Sequence, residues 1–378
     1  MKILFISNIS NGVGTFAMAS LKAAQKMGAE FHIAANFSSA EPGQIEKDEA
    51  EYGVHLHQID FERSPLKPGN IKAYRQVVEL IKREGFDVIH CNTPIGGIVG
   101  RLAGSKCRVK KVIYQAHGFH FYKGAPVKNW LIYYPIERLL AHKTDALITI
   151  NKEDRVRAKR FHLRHSGSVY YVPGVGIDMA GYDFSGFDRA AKRAELGLAE
   201  SDICVISAGD LIKRKNYETA VKAVAAAGNK NIHYFVCGKG PLKEDLEALA
   251  KRLGVENNVH FLGFRTDIKE LLNAADVFLF TTLQEGLPRS LSEAMAAGLP
   301  CIASKIRGNT DLTDGGKCGF LCGPKDYKGF ASALLRLSKS ASLREKTGTK
   351  GKKNLDKFSL DAATAAVLKV YKRELGDF

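Results

Sequence analysis

Nowhere in the 378 residues do 18 or more apolar residues follow one another, so the sequence offers no membrane-spanning helix. A signal-peptide core is also missing. Met1-Lys2-Ile3-Leu4-Phe5-Ile6-Ser7-Asn8 is too short for one and runs into a glycine-containing loop, so it reads as a first strand. Acid is scarce beside base: 40 Asp+Glu against 56 Lys+Arg, a formal net charge of +16. Such a surplus suits an anionic partner, whether nucleotide phosphates, a membrane face or nucleic acid. Nucleic acid is disfavoured, because no recognition helix, zinc pattern or RNA-binding signature accompanies the charge. The seven cysteines are odd in number and scattered, and Cys91, Cys204, Cys237 and Cys301 fall inside apolar runs. That favours buried, reduced thiols in a cytoplasmic protein over disulfides. Cys318 and Cys322 lack a second pair at zinc spacing. Internal repeats and low-complexity segments are absent as well.

What is present is a composition of 45% apolar and 25% charged residues, ordinary for a globular chain long enough for two domains. Two successive sets of strand–helix alternation can be read. Strands are predicted near 3–7, 31–35, 86–91, 111–116, 146–150 and 169–172, then near 204–208, 233–237, 259–262, 277–281 and 301–304. Helical periodicity lies between them at 217–227, 242–253 and 268–274, and again from Asp361 to Leu375. Alternating β and α elements imply doubly wound parallel sheets, so the expected fold is α/β with two Rossmann-like domains. The expected limits are residues 1–175 and 176–360, hinged at Pro173-Gly174-Val175-Gly176-Ile177-Asp178. The helix in 361–378 is expected to pack back on the first domain.

The densest chemistry sits in Glu285-Gly286-Leu287-Pro288-Arg289-Ser290-Leu291-Ser292-Glu293, followed by Ala294-Met295-Ala296-Ala297-Gly298-Leu299-Pro300. An apolar strand precedes it, so Glu285 falls on a loop at the carboxyl edge of a sheet, where open α/β folds bind ligands. Pro288 suits a first helical turn and Gly298 a helix stop. The N–H groups near Gly286 and Leu287 are then free to face an anion. Glu285 on the loop and Glu293 on the helix need not face one another, and Glu293 could accept hydrogen bonds from ribose hydroxyls instead of serving as an acid or base.

Three further loops fit a ligand edge. Gly12-Val13-Gly14 lets backbone approach closely but lacks the third glycine and the acidic residue of a dinucleotide fingerprint. Gly209-Asp210-Leu211-Ile212-Lys213-Arg214-Lys215-Asn216 puts three cations in a row after a strand, a diphosphate clamp or an exposed basic helix end. Gly238-Lys239-Gly240-Pro241 opens a helix and serves at least as a turn. His117, followed by Gly118, closes a strand. Residues 101–164 carry 15 Lys/Arg against 4 Asp/Glu, a net of +11. Phe119, Phe121, Tyr122, Trp130, Tyr133 and Tyr134 interleave with that charge and raise an interfacial reading.

The Glu-x7-Glu block with its Ala-Met-Ala-Ala-Gly-Leu-Pro tail resembles the signature of the family 4 retaining glycosyltransferases of the GT-B fold. Gly12-Val13-Gly14, His117-Gly118, the hinge segment, Gly209 to Asn216, Phe261-Leu262-Gly263-Phe264 and Cys318-Gly319-Phe320-Leu321 match family landmarks in order. The stretch from His117 to Pro126, with Asn129-Trp130, Tyr134 to Glu137 and Ile150 to Asp154, is similar to bacterial exopolysaccharide and capsule enzymes acting on polyprenyl-diphosphate-linked sugars. The resemblance implies two domains facing across a cleft, acceptor on the first and nucleotide sugar, UDP-linked by family habit, on the second. It implies retention of configuration and no cofactor or metal, in keeping with the absence of two aspartates spaced two apart. Lys215, helped by Arg214, would neutralise the donor diphosphate, and Glu293 would hold the ribose. Glu285 and the amides of Gly286 and Leu287 would contact donor sugar and phosphate. His117 would lie beside the transferred sugar, Gly12 and Gly14 would admit the diphosphate, and Phe264 would sit near the base. Asp210 departs from the family, much of which has Arg there, and shifts charge neutralisation onto Lys215 and Arg214. The implied partners are a nucleotide sugar, a polyprenyl-diphosphate-linked acceptor and an anionic membrane surface, with the enzyme peripheral on the inner face of the cell membrane. A GT-B-fold nucleotide-sugar epimerase is the alternative; it would need no lipid acceptor.

Overall fold

The computed structural model describes residues 1–65, 67–182 and 184–376. Asp183, within the expected hinge stretch, and Asp377 and Phe378, at the end of the expected last helix, lie outside these. The chain forms two compact units, residues 1–176 with 360–378, and residues 177–359.

In the first unit the strands are β1 (Lys2–Ile9), β2 (Glu30–Asn36), β3 (His55–Gln58), β4 (Val88–Asn92), β5 (Lys111–Ala116), β6 (Ala146–Thr149) and β7 (Ser168–Tyr171). The helices between them are α1 (Thr15–Gln25), α2 (Gln44–Tyr52), α3 (Gly69–Glu84), α4 (Pro94–Lys106), α5 (Val127–Ala141) and α6 (Lys152–Ala158). All pairings are parallel, in the order β3-β2-β1-β4-β5-β6-β7.

The second unit holds α7 (Arg189–Glu195), β8 (Ile203–Ala208), α8 (Tyr217–Ala227), β9 (Ile232–Cys237), α9 (Lys243–Arg252), β10 (Val259–Gly263), α10 (Ile268–Ala274) and β11 (Val277–Phe280). It continues with α11 (Arg289–Ala296), β12 (Cys301–Ser304), α12 (Asn309–Leu312), β13 (Phe320–Cys322), α13 (Tyr327–Ser338) and α14 (Ala341–Leu355). Its order, β10-β9-β8-β11-β12-β13, repeats the first unit's pattern without visible sequence repetition. The last helix, α15 (Leu360–Leu375), packs on α1 of the first unit through Val367, Val370 and Tyr371.

Both sheets are buried on two faces, which is why their strands read as continuous apolar runs. In β1, Leu4 and Ile6 face one core layer and Ile3 and Phe5 the other; in β11, Val277 and Leu279 alternate with Phe278 and Phe280 in the same way. The strand order reverses between β1 and β4 and between β8 and β11, the place where open α/β sheets bind ligands.

Three expectations are corrected. Strands β3 and β13 were not predicted: each is short, and none of their residues is fully buried, so neither carries a buried apolar run. Pro288 is not inside the first turn but precedes it, with extended ψ of 126°, and α11 starts at Arg289. The aromatics of residues 119–134 do not form the interface. Phe119 and Phe121 are fully buried, and Trp130, Tyr133 and Tyr134 pack against the same core. Arginine and lysine nearby made that core layer look like a surface.

Candidate functional site

In the second unit the loops after β8 and β11 meet at the reversal of strand order. Lys213–Lys215 form a single 3-10 turn, and Asn216 then takes a left-handed conformation (φ 56°) before α8 begins. The Asn216 side-chain amide donates to the carbonyls of Thr281 and Pro324, and the Leu283 N–H donates to the Arg214 carbonyl at 2.8 Å. These bonds stitch the basic loop to the end of β11 and bring residues 70 positions apart together.

The result is a carboxylate between two cations. Glu285 Oε1 accepts from Lys215 Nζ at 2.8 Å, from an Arg214 guanidinium N–H at 2.9 Å and from the Thr282 hydroxyl at 3.0 Å. Lys215 and Glu285 are largely buried, 13% and 12% exposed at the side chain, whereas Arg214 is 40% exposed. Gly209, at φ 148°, leaves room for the lysine: an added Cβ would lie 3.3 Å from Lys215 Cε. Asp210 is exposed and forms no ion pair among the described residues. The second glycine loop is explained by packing. A Cβ on Gly238 would lie 2.0 Å from the Gly209 carbonyl oxygen, and one on Gly240 would lie 2.5 Å from that of Leu211.

The turn into α11 is held from the far side by Arg307, which is buried and donates to the Glu285 carbonyl at 3.0 Å. Gly308, at φ 76°, packs on the Gly286 backbone. Among the described residues, the N–H groups of Gly286 and Leu287 find no acceptor within the protein. They lie just before the Pro288 N-cap of an eight-residue helix, whose dipole favours an anion at that end. One turn on, Glu293 accepts from Arg289 Nε at 2.7 Å and lies against Tyr182, whose hydroxyl is made less acidic by burial and by that carboxylate. Phe264 opens the loop after β10, 69% exposed, with Lys239 Nζ 5.7 Å from its ring.

The first unit builds its edge differently. Gly12 has φ 136°, and a Cβ there would lie 2.1 Å from Asp48 Oδ2. That buried carboxylate accepts the Val13 N–H at 2.6 Å, so Gly12 makes room for a loop anchor rather than directly for a ligand. Gly14 caps α1 without a side-chain bond. His117 follows β5, with Nε2 2.9 Å from Asn92 Oδ1 and the ring edge-to-face with Phe16 at 4.7 Å. Desolvation lowers its pKa to about 4, so the imidazole is neutral at pH 7. The loop beyond is fastened by α6: Asp154 accepts the Phe119 N–H at 3.0 Å and Glu153 accepts that of Lys123 at 2.7 Å. Thr93, just after β4, is a β-branched residue at φ 62° and ψ 163°, an unfavourable conformation at the strand-order reversal.

Sequence reasoning had singled out Lys215, Arg214, Glu285, Gly286, Leu287 and Glu293, and the fold gathers them around the turn into α11. It missed Arg307, Thr282 and Tyr182 in this unit, and Asp48, Asn92, Phe16 and Thr93 in the other. Only Thr93 carried a local signal, since Asn-Thr-Pro after an apolar strand marks a helix entry.

The model of the glycosyl transferases group 1 family matches residues 188–354, and that of the glycosyl transferase 4-like domain matches residues 11–173. EpsD of Bacillus subtilis (strain 168), a protein assigned as a glycosyltransferase, is 36% identical over 363 residues, 95% of this chain and 93% of its own. The Escherichia coli UDP-Gal:alpha-D-GlcNAc-diphosphoundecaprenol alpha-1,3-galactosyltransferase is 28% identical over 274 residues, 71% of this chain and 70% of its own. The crystal structure of Anabaena Alr3699/HepE in complex with UDP and glucose superimposes with a TM-score of 0.80 at 20% identity, covering 99% of this chain and 100% of that one. Two doubly wound units, matched over nearly their full length by these models and relatives, make the chain a member of the glycosyltransferases with the GT-B fold.

Proposed function

We propose that the protein moves a sugar, with retention, from a UDP-sugar to a saccharide carried on a lipid diphosphate, in the assembly of a surface polysaccharide. The observation that carries this reading is the Lys215–Glu285–Arg214 cluster beside the acceptor-free amides of Gly286 and Leu287. Breaking the sugar–phosphate bond leaves a nucleoside diphosphate with added negative charge. Fixed cations and helix-end amides stabilise that charge without reorganising as it develops. Glu285 holds the two cations in place through Oε1 and keeps Oε2 for a donor hydroxyl. Glu293, oriented by Arg289, takes the ribose hydroxyls, and exposed Phe264 offers a face to the base. Neutral His117 hydrogen-bonds a sugar hydroxyl rather than supplying charge.

The acceptor follows from likeness to a relative that acts on a diphosphoundecaprenol-linked sugar, and UDP from a solved relative that binds it. Access to such an acceptor calls for a membrane face. No helix among the described residues is long and apolar enough to cross a membrane. Helix α5, however, exposes Val127, Leu131, Ile132, Ile136 and Leu139 beside Lys128 and Arg138. Its inner side is clamped by Glu137, which pairs with buried Arg101 at 2.8 Å. An aliphatic ridge flanked by cations suits the headgroup boundary of an anionic bilayer.

Transfer is tested by incubating the protein with labelled UDP-sugars and a polyprenyl-diphosphate sugar. Labelled, lengthened lipid is the expected product, and an epimerised donor with no extended lipid would overturn the assignment. Vesicles with anionic lipid should retain the protein at low salt, and Leu131→Glu should release it. Equal partitioning onto neutral vesicles would remove the membrane face.

A further inference from the structure

At the amino ends of the first unit's strands, opposite the edge that carries His117 and the Gly12 loop, lies a cluster that the transfer reaction does not use. Glu30 and His32 on β2 and His55 and His57 on β3 project from one face of the sheet, since His32 pairs with His55 and Ala34 with His57 in parallel register. One donor atom from each of Glu30, His32 and His55 lies within 4.8 Å of the other two. His32 Nε2 is 2.7 Å from Glu30 Oε1, and His55 Nε2 is 3.8 Å from the same oxygen.

We propose that Glu30, His32 and His55 form a binding site for a zinc-type divalent ion that ties the edge strand β3 to β2. A tetrahedral ion about 2.1 Å from each donor holds the donors about 3.4 Å apart, between the two separations seen here. Glu30 and His55 are partly exposed, 43% and 59% at the side chain, so they can adjust by a rotamer change, while His32, 3% exposed, provides the fixed point. Imidazole and carboxylate together suit zinc and its neighbours better than magnesium or calcium, which prefer oxygen alone.

His57 supplies the support that metal-ligating histidines ordinarily have. Its Nε2 lies 2.9 Å from His32 Nδ1, and the two rings stack 2° from parallel. When His32 ligates through Nε2, its Nδ1 carries the proton and donates it to His57, which fixes the ring's tautomer and aim. Phe86 closes the inner side by meeting the His32 ring edge-on at 4.9 Å. The competing cation is Lys2, whose Nζ is 3.5 Å from Glu30 Oε1 and 3.8 Å from Glu84 Oε2. An ion bound to Glu30 displaces it toward Glu84.

The test uses the full chain, purified without metal-affinity resin and stripped with a chelator. Titration with cobalt(II) should give the visible absorption bands of a four- or five-coordinate site at one equivalent per chain, and zinc should abolish them stoichiometrically. His55→Ala, on an exposed edge-strand position, should remove the bands while leaving far-UV circular dichroism and glycosyl transfer unchanged. His57→Ala should weaken binding roughly 10- to 100-fold, and Lys2→Ala should tighten it. Zinc should raise the melting temperature of the parent chain but not of His55→Ala. Octahedral-type weak absorption in the parent, or an unchanged cobalt affinity in His55→Ala, would overturn the site.

Discussion

The two units share a strand order but hold their ligand edges by opposite means. In the second unit, charge does the fastening: Lys215 and Arg214 converge on Glu285, and the glycines at 209, 238, 240 and 308 let loop backbones lie directly on one another. In the first unit, anchors are buried polar side chains that accept backbone or ring N–H groups: Asp48 for Val13, Asp154 for Phe119 and Asn92 for His117. One edge thus presents cations and acceptor-free amides, and the other presents neutral groups. Under the proposed transfer, this difference would suit the second unit to the anionic end of a donor and the first to an uncharged sugar held by shape and hydrogen bonding.

The sharpest way to break this contrast is Lys215→Ala. Loss of a fixed cation facing developing charge should reduce transfer roughly 10²- to 10³-fold with melting behaviour retained. Full activity would place the diphosphate elsewhere. Glu293→Ala should act on donor binding, raising KM for the UDP-sugar about 10-fold or more while kcat changes less, and a fall in kcat alone would argue against a ribose contact. A third test concerns the core of the first unit. Buried His90, 2.7 Å from Tyr371, has its pKa lowered by desolvation to about 3. The unfolded chain therefore binds a proton below about pH 6.5 that the folded chain refuses, and stability falls as pH drops. His90 alone should cost about 2 kcal/mol by pH 5. Denaturant midpoints measured from pH 7 to 5 should show it, and His90→Gln should flatten the slope. The smallest effect is expected at Thr93, where Thr93→Gly should relieve about 1 kcal/mol of backbone strain. A destabilised variant would mean that the Thr93 side chain contributes more than its conformation costs.

Much of the architecture was legible because buried parallel strands have no solvent face to interrupt them. Ile3–Ile6 in β1 and Val277–Phe280 in β11 announce themselves by unbroken apolarity. Edge strands do not: β3 reads His-Leu-His-Gln and is recognised only once β2 lies beside it. The same limit misdirected the view of residues 119–134, where aromatic density reads alike in a core and at an interface. Phe121 is completely buried, and the apolar residues that do face solvent are the aliphatic ones of α5.

The candidate site divides along the same line. Residue type and order carried the family resemblance that implied the reaction class, because a Glu-x7-Glu block entering a helix and a run of cations after a strand are local patterns. Only the tertiary structure decided that Lys215 and Arg214 close on Glu285 across 70 residues, that Arg307 holds the turn from behind, and that Gly12 makes way for Asp48. Those contacts depend on two loops meeting where the strand order reverses. That is a property of how strands are arranged in a sheet, and no window of sequence contains it.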